Sequence, residues 1–257
     1  MPDFSDVVTS KGNKFPPGWK PVRLPPQLMP GDVHVWAINL VVDSATLQSL
    51  EGNLCDEELD RAGRFHFDRD CMAYKVTRGR LRWLIACYQE TEPARVRLVD
   101  GEYGKPALPG GDLRFNVSRS DKVGLLAFTR GRDVGVDIEW VRPVKLQDQL
   151  ARFSFSEWEY EQYSQVPDTQ KLAAFYHCWT QKEAYIKAIG MGLSFPLDAF
   201  DVTVNPSNKP QLLSVEGSTQ KATQWKMQEL ASLDSYAAVV IAGGRKWQLS
   251  CFCLKGQ

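Results

Sequence analysis

From residue 32 onward the chain can be divided by the spacing of its apolar positions. DVHVWAINLVV (32–42) alternates and is rich in β-branched residues, which predicts a strand. The period then lengthens: CDEELDRAGRFHF and DRDCMAYKVTRGRLRWLIACYQE predict helices. The second has an apolar stripe through Tyr74, Leu81, Leu84 and Ile85 and a basic face from Lys75, Arg78 and Arg82. RVRLVD, LRFNVS, VGLLAFT and VGVDIEW return to short strands separated by Gly, Pro and Asp turns. After VRPVK the pattern restarts. SEWEYEQY opens a short helix with a capping box, Ser156 and Glu159, and Asp168 to Ile189 predicts a long helix that stops at Gly190. AFDVTV, KATQWKMQEL, SYAAVVIA and KWQLSCFCL predict further strands.

Each half offers a helix and several strands, so the expected fold is α+β in two similar lobes, each a small, mostly antiparallel sheet with a long helix. The expected division is a proline-rich arm over 1–31, one lobe over 32–142 and a second over 143–257, with a site between the lobes. VGVDIEW stands out because two carboxylates interrupt an apolar run. On a strand Val134, Val136 and Ile138 face one way while Asp137 and Glu139 share the other face.

Composition narrows the function classes. In 257 residues, 43% apolar, there is material for a real core, and Lys plus Arg balances Asp plus Glu at 31 each. That balance argues against a nucleic-acid protein and leaves anionic ligands to local patches. The first fifteen residues lack the apolar stretch of a secretory signal, and YAAVVIA is too short to span a bilayer, so the expectation is a cytoplasmic protein away from membranes. The six cysteines form no C-x-x-C pair and no zinc-type spacing with the three histidines, and read as reduced thiols. Any catalysis then falls to carboxylates and lysines.

A second block, WTQKEAYIKAIGMGL (179–193), places Trp179, Glu183 and Lys187 on one helix face at i, i+4 and i+8. Taken alone it is an ordinary surface Glu–Lys pairing. Together, GVDIE and W-x-x-K-E-A-x-x-K-A-x-G-x-G-L resemble the paired signature of the 4′-phosphopantetheinyl transferases, in the larger, two-lobed monomeric type similar to surfactin synthetase activators. RAGRFHF, GKPAL, FNVS and FSEWE match in order between the start of the first lobe and the second block.

The resemblance implies a pseudo-twofold pair of lobes and transfer of the phosphopantetheine arm of coenzyme A to a serine of an apo acyl or peptidyl carrier protein, releasing adenosine 3′,5′-bisphosphate. It implies Mg²⁺, with Mn²⁺ as an alternative, held by Asp137, Glu139 and Glu183; a hard dication of this kind takes oxygen ligands and substrate phosphate. Lys187 would offset charge on the leaving phosphate, a carboxylate would help remove the serine proton with Glu159 as the matching acid, and Glu183 would be catalytic as a metal ligand. Coenzyme A would be met by Arg61, by Gly104, Lys105 and Pro106 of the GKP loop, and by Asn116, Val117, Ser118 and Arg119, with Asp137, Glu183 and Lys187 at the pyrophosphate.

The family usually reads N-[IV]-S-H-S where this chain has NVSRS, so a guanidinium that stays charged at working pH stands at Arg119 in place of an imidazole. Glu58 likewise stands where a basic residue is common. Two other functions compete with the transferase: a noncatalytic carrier-protein or coenzyme A binding module, and an Mg²⁺ nucleotide hydrolase. The second lacks the G-x-x-x-x-G-K-[ST] loop that cradles a triphosphate.

Overall fold

The computed structural model describes residues 18–230, 233 and 235–254, so most of the expected arm over 1–31 lies outside the described residues. The first half runs β1 (Lys20–Val22), β2 (Asp32–Asn39), α1 (Ser44–Glu51), α2 (Asp56–Gly63), α3 (Asp68–Gln89), β3 (Val99–Asp100), β4 (Pro106–Ala107), β5 (Leu113–Ser120), β6 (Val123–Arg130) and β7 (Val134–Trp140). The second runs α4 (Gln147–Ser154), α5 (Glu157–Ser164), α6 (Asp168–Ile189), β8 (Phe200–Val202), β9 (Leu212–Val215), α7 (Thr219–Ala222), β10 (Trp225–Glu229), β11 (Tyr236–Gly243) and β12 (Gln248–Leu254). The fold is α+β.

Two sheets organise the molecule, one in the order β1-β12-β2-β6-β5 and one in the order β10-β11-β7. Strand alternation explains how they stack. Val33, Val35 and Ala37 of β2 join Val134, Val136 and Ile138 of β7 and Ala238, Val240 and Ala242 of β11 in one buried cluster between the sheets. The opposite face of the first sheet, with Trp36, Ile38, Leu126 and Phe128, packs on Val76, Leu81, Leu84 and Ile85 of α3. The opposite face of the second, with Val239 and Ile241, packs on Ala184, Tyr185 and Ala188 of α6.

The sheets do not divide at residues 142/143. β7 precedes that boundary yet pairs antiparallel with β11, while β12 returns from the C-terminal half to pair in parallel with β2 and β1. Each half therefore lends a strand to the other's sheet, because Val134, Val136 and Ile138 find their apolar partners on β11. The strand expected over KATQWKMQEL begins only at Trp225, since Ser218 caps the one-turn helix α7 before it.

The expected basic face of α3 is largely neutralised. Arg82 Nε and Arg78 Nε pair with opposite oxygens of Glu58 at 2.6 and 3.1 Å, and Lys75 pairs with Glu51 at 2.6 Å. Glu58, in the position where a cation was expected, instead ties α2 to α3.

Candidate active site

The site begins with a glycine. A Cβ built on Gly135 would lie 1.9 Å from the backbone oxygen of Ala184 and 2.6 Å from the nitrogen of Ala188, so α6 rests directly on β7 at a distance only glycine allows. Asp137 and Glu139 follow on the same strand face and are brought against Glu183 and Lys187 of α6.

β7 also lies beside β5, and three alternating β5 side chains accept its backbone N–H groups. Asn116 Oδ1 takes that of Val136 at 2.9 Å, Ser118 Oγ that of Ile138 at 3.4 Å, and Ser120 Oγ that of Trp140 at 3.0 Å. Lys105 closes the near end of this seam, its Nζ donating to the carbonyls of Val134 at 3.3 Å and Ala188 at 3.1 Å. Burial lowers the Lys105 ammonium from 10.5 to about 8, with a nearby Asp133 opposing that shift.

Along the seam runs a cleft of about 490 Å³. At one end, Lys187 Nζ donates to Asp137 Oδ1 at 2.5 Å and to Ser118 Oγ at 2.9 Å. Asp137 is 1% exposed, and its Oδ2 has no partner among the described residues. Burial, and then the charge of Asp137, push the carboxyls of Glu139 and Glu183 above the ordinary 4.5. Ser120 and Trp179 hydrogen-bond Glu139 and partly oppose the shift, while Glu183 is opposed by the Lys187 charge.

The far end of the cleft is aromatic and carries the cations Arg61 and Arg119 beside Tyr74, with the Glu58-paired Arg78 also there; the Arg61 and Arg78 guanidinium carbons each lie 5.8 Å from the ring centroid. Gly104, Pro106 and Val117 also face this space. A larger groove of about 690 Å³ near Trp158 carries Lys209 as its one charged lining residue, so it offers no acid–base pair.

Ten expected residues thus line one cleft: Arg61, Gly104, Pro106, Val117, Ser118, Arg119, Asp137, Glu139, Glu183 and Lys187. Three do not. Lys105 and Asn116 have their polar atoms engaged in the seam. Glu159, expected as a proton acceptor, is 0% exposed and accepts from Lys182 Nζ at 2.5 Å, the Ser156 N–H at 2.7 Å and the Val202 N–H at 2.8 Å. It is a buried cap and ion-pair partner with no face on the cleft, which corrects its expected role.

The sequence reading assigned no role here to Phe65, Tyr74 and Thr77. The i, i+4 spacing from Tyr74 to Arg78 was the available signal.

The all-oxygen donors suit a hard dication, and the buried, partnerless Asp137 Oδ2 is the atom that most needs one. Among the described residues, though, no three His, Cys, Asp or Glu are already gathered as a ligand cluster, and Lys187 supplies the cation at Asp137 Oδ1.

The family model for the 4′-phosphopantetheinyl transferase superfamily matches residues 133–241, which span β7, α6 and β11. Across 236 residues the chain is 34% identical to the 4′-phosphopantetheinyl transferase HetI of Nostoc sp., covering 90% of this chain and 95% of that protein. The chain belongs to the 4′-phosphopantetheinyl transferase superfamily. The transferase also shares 32% identity over 150 residues with the 4′-phosphopantetheinyl transferase Sfp of Bacillus subtilis, 58% of this chain and 66% of that one. With the human L-aminoadipate-semialdehyde dehydrogenase-phosphopantetheinyl transferase it shares 30% over 206 residues, 72% of this chain and 65% of that one. The matched span holds every cleft carboxylate of the transferase, while Arg61, Arg78 and Arg119 lie before it.

Proposed function

We propose that the protein moves the 4′-phosphopantetheine arm of coenzyme A onto a serine of an apo acyl or peptidyl carrier protein and releases adenosine 3′,5′-bisphosphate. The observation that carries this reading is the polarity of the cleft. Arginines and an aromatic ring occupy one end, suited to a phosphorylated nucleotide, and carboxylates with a lysine occupy the other, suited to a pyrophosphate held through a cation.

Asp137, Glu139 and Glu183 would hold Mg²⁺ or Mn²⁺, which when bound neutralises pyrophosphate charge. Arg61 and Arg119 bind the nucleotide phosphates, and Gly104 and Pro106 shape the wall beside them. Glu183, to which no described residue donates a side-chain hydrogen bond, takes the proton from the acceptor serine. The serine oxygen then bonds to the pantetheine phosphorus as the bridging P–O bond breaks. The bond pair passes to the departing bisphosphate, and Lys187, on the Glu183 face of α6, donates toward that oxygen.

The finer fold reading is also a proposal: two related lobes about a pseudo-twofold axis with the site between them, 32–142 and 143–257 except that β7 pairs into the second sheet and β12 into the first. The pairing of α3 with one sheet and α6 with the other supports it. The arginine end and the carboxylate end of the cleft both come from one chain, which supports a monomer. The free cysteines fit a reducing cytoplasm, and among the described residues no helix is long and apolar enough to cross a membrane. Incubating purified apo carrier protein with coenzyme A, Mg²⁺ and the protein should raise the carrier's mass by one pantetheine arm. Binding of the carrier with no mass gain would point to a noncatalytic module.

A further inference from the structure

NVSRS and VGVDIEW face each other in register, and the match extends beyond the backbone. Ser118 Oγ accepts the N–H of Ile138 at 3.4 Å and a proton of Lys187 Nζ at 2.9 Å, and donates to Asp137 Oδ1 at 2.8 Å. Ser120 Oγ accepts the N–H of Trp140 at 3.0 Å and donates to Glu139 Oε2 at 3.0 Å. A hydroxyl has one proton and two lone pairs. With the Ser118 lone pairs taken by an amide and an ammonium, its proton can go only to the carboxylate. The two-residue period of both strands repeats the device, so each serine fixes one oxygen of the carboxylate opposite it.

We propose that Ser118 is a positioning residue for the cation site: it holds Asp137 by Oδ1 and leaves the buried, partnerless Oδ2 as the oxygen that binds the cation. Ser120 does the same for the more exposed Glu139. This rests on the reading that these carboxylates hold a divalent ion. It differs from the role the family resemblance implies for Ser118, which is contact with the nucleotide. Hydrogen-bond partners of metal-ligating carboxylates typically alter metal affinity about 10- to 100-fold when removed.

The test uses the full chain without carrier protein. Mn²⁺ affinity is read by electron paramagnetic resonance, and coenzyme A affinity is read separately in EDTA. Ser118→Ala should weaken Mn²⁺ by about 10- to 100-fold while coenzyme A affinity in EDTA stays within about twofold, and Ser118→Thr, which keeps the hydroxyl, should restore most of the Mn²⁺ affinity. Ser120→Ala should give a smaller loss of the same kind, and it carries the test if Ser118→Ala does not fold. Parental Mn²⁺ affinity in Ser118→Ala would overturn the positioning role alone. An equal loss of coenzyme A in EDTA would make Ser118 a nucleotide contact instead. Threonine behaving like alanine would reduce the effect to packing. A parent protein that binds no Mn²⁺ would overturn the metal reading and this inference with it.

Discussion

Gly135→Ala adds one methyl group at the point where α6 rests on β7, and its cost follows from the geometry. Moving the new Cβ from 1.9 Å to the 3.4 Å at which contacts become ordinary requires the backbone of α6 or β7 to give by about 1.5 Å. Both neighbours are backbone atoms of regular elements, so no side chain can rotate away. Overpacking of this kind costs on the order of 1–3 kcal/mol, and the upper end applies because the bonds from Lys105 to Val134 and Ala188 cross the same seam. The Lys187 to Asp137 contact spans it as well, so the site should open with the seam. Urea denaturation should show a lower midpoint with an unchanged slope, and transfer should fall at least tenfold in variant protein that is still folded. An unfolding free energy within about 0.5 kcal/mol of the parent, with full transfer, would refute the claim that Gly135 sets the distance between the strand and the helix.

Glu159→Gln should cost about 3–5 kcal/mol of stability because it strands the buried Lys182 ammonium, while the pH profile of the remaining activity keeps its shape; a lost rate in a fully stable variant would return Glu159 to the chemistry. The Lys105 ammonium is lowered from 10.5 to about 8, so the fold favours its neutral form, and stability should decline by up to about 3 kcal/mol as pH falls from 10.5 through 8. Lys105→Met should flatten that decline, and an unchanged slope in the variant would refute the assignment. Arg119→Ala should weaken coenzyme A more than its 3′-dephospho analogue, and Arg119→His should make affinity fall as pH rises from about 6 to 8. Equal binding of both ligands by Arg119→Ala, at parental strength, would leave Arg119 as a bystander on the cleft wall.

The cleft was legible in the sequence where chemistry and period coincide. Strand alternation placed Asp137 and Glu139 together, and helical spacing placed Glu183 and Lys187 together. The sequence hid the partners that neutralise charge. Arg82 and Lys75 read as part of a basic patch because Glu58 and Glu51 lie 24 residues away in the chain. Glu159 carried two local readings, cap and acid, and only the position of Lys182 and the β8 backbone decides between them. The return of β12 to the first sheet left no local signal, since a parallel pairing depends on partners more than two hundred residues apart. Asn116 and Lys105 matched motifs by type, yet their polar atoms are engaged by main-chain groups of β7 and α6, which no residue pattern displays.

The central claim is that the carboxylates between β7 and α6 carry the transfer, and Asp137→Asn is the least disruptive way to test it because it keeps the side-chain shape and the contact with Ser118. Intact mass spectrometry of apo carrier protein after incubation with coenzyme A and low-millimolar Mg²⁺ reads the outcome directly. The parent should convert the carrier to the pantetheinylated form, and folded Asp137→Asn should leave it unmodified. Conversion at the parental rate by the folded variant would contradict the account.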